Sequence, residues 1–190
     1  ISRYPKARER ELALQQKALI HGQLGENDAM AAAFSQLLKE YPQTAAAAQA
    51  NYWIGWVRFE AKDYRGAVGP LRKARDADPE QFFERATLRA MLSYYYLEER
   101  EPLAEEVAAY LEKGQGEAPP EVLRWLGLSY LQDADFARAA RYLAPLTERT
   151  EGVLRDDILH AARALQGTGD HAKAALFAER YLQDLAEPYP

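Results

Sequence analysis

Three histidines are the first place to look for chemistry in this chain of 190 residues. His21 and His171 fall at packing or turn positions and read as structural. Asp156 and His160 stand four apart on one helical face, a spacing that supplies two metal ligands, yet no third ligand or outer-shell partner accompanies them. The closely spaced glycines of "QGTGD" join two helical patterns instead of following a strand, so the geometry that cradles phosphate is missing. No serine sits in a nucleophile-elbow setting, and Glu105 and Glu106 read as solvated surface carboxylates. The absence of cysteine excludes disulfides, thiolate catalysis and Cys-ligated metal. The expectation is a chain that is not an enzyme and uses no cofactor and no metal.

Recognition is the other chemistry on offer. Tyr52, Trp56 and Phe59 lie at i, i+4 and i+7 and share one helical face. Arg89, Arg124 and Arg163 recur further along, and aromatic and arginine side chains are the types enriched in binding hot spots. The competing assignments are ordinary ones: an aromatic stripe at this spacing also builds a core, and arginines also coat a solvated face. A net charge of −5 leaves no basic excess for a phosphate backbone, so no nucleic-acid partner is expected. No run reaches the roughly 18 consecutive apolar residues that suggest a membrane span, so no direct membrane insertion is expected.

The elements that must position these residues are helices. Apolar residues recur every three or four positions, and strict alternation is scarce. The spacing predicts helices over 5–23, 28–40, 44–61, 64–77, 80–98, 101–113, 119–132, 136–148, 152–166 and 171–185, five hairpins in all. Asp63, Asp135 and Asp170 stand where N-caps should accept from free amides. Pro42, Pro79 and the pair Pro119 and Pro120 separate one hairpin from the next. Pro70 and Pro145 fall inside expected helices, where kinks follow from the missing donor.

"SRYPKA" at the start and "KEYPQT" 37 residues later are variants of one phrase. Aligned on the breaks, the first helices place Ala18, Gly55, Leu92, Gly127 and Ala162 in register, and the second helices Met30, Ala67, Ala104, Ala139 and Ala174. Glycine within a helix costs about 1 kcal/mol relative to alanine, so Gly55 and Gly127 imply close approach of the second helix, with the alanines facing them. Larger residues there would overpack the hairpin at about 1 to 3 kcal/mol each.

"LRWLGLSY" followed by "DFARAARYL" resembles the tetratricopeptide repeat, as does "NYWIGWVR" followed by Ala67, Leu71, Ala74 and Pro79. Lys17 and His21 depart from the pattern in the first repeat. The Tyr-Pro endings with "NYWIG" are similar to repeats of bacterial periplasmic and outer-membrane proteins, such as the Tol-Pal-associated coordinator and BamD-like lipoproteins. The resemblance implies an all-α, right-handed superhelical solenoid of about five antiparallel helix pairs, as a single run over 1–190 with repeats at 5–42, 44–79, 80–117, 119–150 and 152–188. Because the chain opens inside a repeat, a fragment of a longer protein is expected.

The resemblance also implies a concave face built by the first helices, where Tyr52, Trp56, Phe59 and Glu60, then Arg89, Ser93 and Tyr96, then Arg124, Leu128 and Gln132, and finally Arg163 would fall. Tyr52, Trp56, Phe59, Arg89, Tyr96 and Arg124 are the expected partner-binding residues, for a protein or peptide ligand. The clamp by which some family members hold chaperone tails is not matched: Gln15, Leu19, Trp56, Arg89 and Ser93 stand at its places. The expected function is a non-catalytic protein-protein interaction scaffold in the bacterial cell envelope, periplasmic or outer-membrane-associated, with the cytoplasm as the alternative. Competing expectations are a regulatory or positioning arm of a larger envelope enzyme or polysaccharide-export system, and a homo-oligomerisation module that self-associates through exposed terminal repeats.

Overall fold

The computed structural model describes the backbone of residues 5–113, 117–149 and 152–186. Ten helices and no strand occur among them: α1 (Pro5–Gln23), α2 (Asn27–Glu40), α3 (Ala47–Glu60), α4 (Tyr64–Ala77), α5 (Pro79–Tyr96), α6 (Arg100–Lys113), α7 (Pro120–Gln132), α8 (Phe136–Leu146), α9 (Arg155–Thr168) and α10 (His171–Ala186). They pair as five hairpins, the all-α helix-pair solenoid class that the repeats predict. Expected and observed ends differ by a few residues. α3 starts at Ala47 rather than 44, because Thr44 and Ala46 form a turn in which the Thr44 hydroxyl accepts from the Ala46 amide at 3.3 Å. α9 starts at Arg155 rather than 152, after Gly152 at φ 73°.

The turn within each hairpin repeats one geometry. Gly25, Lys62, Glu98, Ala134 and Gly169 all have positive φ. Each amide bonds three residues back, and the next amide bonds five back: Lys62 to the Phe59 carbonyl at 2.9 Å and Asp63 to the Arg58 carbonyl at 2.8 Å, with counterparts at the other four turns. This is the Schellman closure, which satisfies carbonyls that the helix end leaves open. The residue that follows is always acidic: Glu26, Asp63, Glu99, Asp135 and Asp170. The three aspartates cap the second helix, accepting from Gly66, Arg138 and Lys173 amides at 3.0, 3.1 and 3.2 Å.

Gly55 and Gly127 are where helices of a pair meet. A Cβ on Gly55 would stand 2.7 Å from Leu71 Cγ, and one on Gly127 2.4 Å from Leu143 Cγ. The opposing knobs are therefore Leu71 and Leu143, one turn beyond the alanines expected to face the glycines; Ala67 and Ala139 are fully buried beside them.

Contacts divide the chain into two compact units, at residues 117 and 118, within the stretch "GQGEAPP" that the sequence marks as its longest loop. In the first unit α3 lays Ala50, Ile54 and Val57 on Met30, Phe34 and Leu37 of α2, and α5 lays Phe82, Ala86 and Ala90 on Ala67, Leu71 and Ala74 of α4. In the second unit Leu143 and Leu146 of α8 and Ile158 and Ala161 of α9 are likewise buried. One position tracks this pattern. α2, α4 and α8 carry Phe34, Leu71 and Leu143 there, fully buried, whereas α6 and α10, the last helices of their units, carry Ala108 and Ala178, half-buried.

Candidate interaction surface

In the first unit α3 and α5 bring aromatic and arginine side chains together. The i, i+4, i+7 stripe of α3 does not face one environment, because α5 covers its first member. Tyr52 is 4% exposed and packs against Phe82 with ring centroids 5.0 Å apart. Its expected place in a binding groove is corrected to one in the core. Trp56 is half-buried against the first core cluster and meets Trp53 edge-on at 5.5 Å. Phe59 is half-buried and borders an aromatic group in which Tyr64 and Tyr96 stack at 4.7 Å. Tyr96 is 52% exposed, the most open ring of that group.

Arg89 and Arg85, one turn apart on α5, place their guanidinium carbons 5.8 and 5.4 Å from the centre of the Tyr52 ring. A guanidinium at that distance is held by the ring quadrupole, which fixes the group without neutralising it. Arg89 Nη1 reaches the Arg85 carbonyl at 3.4 Å, while its Nε is buried with no hydrogen-bond partner. A buried donor left unmade costs about 1 to 3 kcal/mol. Ser93 is turned inward and donates to the Arg89 carbonyl at 2.7 Å, so it is a helix-packing residue. The surface that remains combines Trp56, Phe59, Tyr96 and Arg89 from the sequence expectation with Arg85, Trp53 and Tyr64, which the repeat register does not assign to the concave face.

Arg124 belongs to the second unit and is committed there. Its Nε and Nη2 form a fork on the Asp157 carboxylate at 2.7 and 2.8 Å, and Nη2 also donates to the Gly152 carbonyl at 2.7 Å. Asp157, 1% exposed, accepts in addition from the Leu154 amide at 2.7 Å. Arg124 therefore fixes the start of α9, and its expected role on a partner is corrected to an internal one. Arg163, on α9, is exposed.

The carboxylates divide as well. Glu105 is exposed, but Glu106 is 3% exposed and lies between Arg75 Nη1 at 2.6 Å and Arg72 Nε at 3.3 Å. Burial pushes its carboxyl above the usual carboxylate range, against the opposing pull of Arg75 and Arg72. The solvated reading of Glu106 is thus corrected: it ties α6 to α4. Asp156 accepts from the Tyr181 hydroxyl at 3.2 Å. No group of three or more His, Asp or Glu placed to hold a metal occurs among the described residues, and no helix among them is long and apolar enough to cross a membrane.

Residues 12–44 match the family model of the tetratricopeptide repeat. No curated protein matches the chain. Among solved structures it is similar to YrrB, described as a TPR protein with an unusual peptide-binding site, at 18% identity over 90% of this chain and 84% of that one, with a TM-score of 0.59. It is similar to the MamA protein at 15% identity over 92% and 91% of the two chains, TM-score 0.58. A tetratricopeptide repeat protein from Parabacteroides merdae follows at 14% identity over 94% and 68%, TM-score 0.56. At these identities the likeness is one of fold, a helix-pair repeat of tetratricopeptide type.

Proposed function

We propose that this chain, a tetratricopeptide-type helical repeat, is a non-catalytic scaffold that takes a peptide or protein segment on the α3 and α5 face of its first unit. The observation that carries the reading is the pair Arg85 and Arg89, whose guanidiniums lie side by side over Tyr52 with no carboxylate partner among the described residues. Two neighbouring guanidiniums without a carboxylate partner suit an acidic group, and charge-assisted bonds of this kind are about twice as strong as neutral ones. Trp56, Phe59 and the open ring of Tyr96 supply the apolar anchors that concentrate binding energy at such surfaces. The ligand is accordingly an extended or helical segment with an acidic residue close to an apolar one. The peptide-binding site named for YrrB lends the fold precedent for a peptide ligand. We place this activity in the bacterial cell envelope, on the likeness of the "EYP" and "NYWIG" phrases to repeats of periplasmic proteins.

The test is a peptide display selection on the intact chain, with Arg89→Ala and Tyr96→Ala run in parallel. Enrichment of acidic, apolar peptides that both variants lose by tenfold or more, with helicity unchanged, supports the reading. Equal enrichment by all three proteins removes the site. Fractionation of cells expressing the protein from its natural gene tests the compartment, and recovery with the cytosol would overturn the envelope assignment.

A further inference from the structure

Two rings of α3 set a ruler for whatever lies on the α3 and α5 face. Tyr52 and Phe59 stand seven residues apart on α3, about 10.5 Å along a helix that rises about 1.5 Å per residue. At one end of that interval the guanidiniums of Arg85 and Arg89 converge on the Tyr52 ring, 5.4 and 5.8 Å from its centre. At the other end the Tyr96 ring of α5 lies 6.4 Å from the Phe59 ring. Arg89 and Tyr96 are themselves seven apart on one face of α5, so both helices keep the same interval. A charged end and an aromatic end are therefore held about 10 Å apart.

The two ends accept different groups. At the first, the bonds of the guanidiniums go to carbonyls and to no carboxylate among the described residues: Arg85 donates to the Gln81 carbonyl at 3.2 Å and Arg89 to the Arg85 carbonyl at 3.4 Å. An acidic side chain is the complementary group. At the second, Tyr96 lies nearly parallel on Tyr64, with 22° between rings 4.7 Å apart, and is still 52% exposed. An open, flat aromatic face suits a residue that stacks, and proline is what aromatic-lined surfaces take from polyproline II segments.

Backbone geometry selects the conformation of the ligand. In a β-strand the residues that share a face are two or four apart, about 6.6 or 13 Å, and neither matches. A polyproline II chain turns once in three residues at about 3.1 Å each, so residues three apart share a face about 9.3 Å from each other. An α-helix spans the interval with residues seven apart. It must then order about eight residues where polyproline II orders about four, at roughly twice the backbone entropy cost for the same two anchors.

We infer that the ligand of this face is a polyproline II segment with an acidic residue three positions from a proline, the carboxylate on Arg85 and Arg89 and the proline ring on Tyr96. The inference rests on the interaction face proposed above and adds to it a conformation and a spacing.

The probes are labelled peptides of serine, glutamine and alanine, each with one glutamate and one proline two, three or four residues apart, and a helical peptide with glutamate and phenylalanine seven apart. Each is titrated against the intact chain by fluorescence anisotropy. The three-apart peptide binds at least tenfold more tightly than the others, and its form with glutamine for glutamate loses that tenfold. Tyr96→Ala levels the series, and Arg85→Ala narrows the gap between glutamate and glutamine; both side chains are exposed, so the fold tolerates both changes. Binding without a preference for three, or tighter binding of the helical peptide, overturns the polyproline II ligand and leaves the interaction face in place. Tenfold tighter binding of a form with phosphoserine for glutamate overturns the carboxylate. Absence of binding by every peptide at millimolar concentration overturns the inference and the face together.

Discussion

Arg58 on α3 donates through Nη1 to the carbonyl of Gly66 at 2.9 Å, the acceptor that Pro70, four residues later in α4, cannot reach because it has no amide hydrogen. The proline that sequence reasoning places awkwardly inside α4 is thus answered by a guanidinium from the facing helix. The bond is exposed, so its worth is at the low end for a charged donor. Arg58→Ala should cost about 0.5 to 1.5 kcal/mol. In a Pro70→Ala background the helix regains its own donor, and the same change should cost close to nothing. Urea denaturation of the four proteins closes the cycle; equal costs in both backgrounds would show that the two residues act independently.

The left-handed turn positions make a second prediction, because two of the five are glycine and three are not. Lys62, Glu98 and Ala134 sit at φ 61°, 56° and 58°, a region that costs an L-residue about 1 to 2 kcal/mol. Ala134→Gly should raise stability by about 1 kcal/mol, with an unchanged urea slope. Gly169→Ala should lower it by a similar amount. A loss of stability in Ala134→Gly would mean that backbone entropy outweighs the relieved strain.

Acid should act on one pair in the first unit. The Arg10 guanidinium bonds Glu40 at 2.7 and 2.9 Å and Gln36 donates to it at 2.8 Å, and together they lower its carboxyl to about 2. A depressed carboxyl stabilises the fold above its ordinary value near 4.5 and loses that contribution as pH falls towards 2. Glu40→Gln should therefore flatten the acid limb of a stability profile measured between pH 5 and 2. Glu106 acts with the opposite sign: its carboxyl is raised, so its contribution declines as pH rises from the ordinary carboxylate range. An acid limb identical in wild type and Glu40→Gln would show that the pair contributes nothing.

How far the sequence could be read depends on whether one helix sufficed. The hairpins, the aspartate caps and the close approach at Gly55 and Gly127 follow from periodicity and residue type within one repeat, and the structure holds them. Tyr52 and Arg124 escaped because their fates are settled by other helices: Phe82 of α5 closes over one, and Asp157 of α9 takes the other. Asp157 accepts from the Leu154 amide, but Leu154 is not a capping residue type, so no capping-box signal marks Asp157 in the sequence. Lys17 and His21 obscure the pattern in the first repeat, yet residues 12–44 are where the family match falls. His21 there reaches Glu26, its Nδ1 2.5 Å from the carboxylate.

Arg124 separates the structural arginine from the recognising one. Removing it leaves Asp157, 1% exposed, with only the Leu154 amide to balance its charge, and breaking a buried pair on one side costs about 3 to 5 kcal/mol. Arg124→Ala should therefore destabilise the second unit by about 3 kcal/mol, since the guanidinium retains some exposure. Arg124→Ala with Asp157→Asn should recover a large part of the loss, because the uncompensated charge is gone. Arg89→Ala should do the reverse: stability holds or rises, as its unfilled donor disappears, while peptide capture falls. Hydrogen exchange over α9 reads the first effect and binding reads the second. If Arg124→Ala leaves α9 protected, the fork on Asp157 is dispensable.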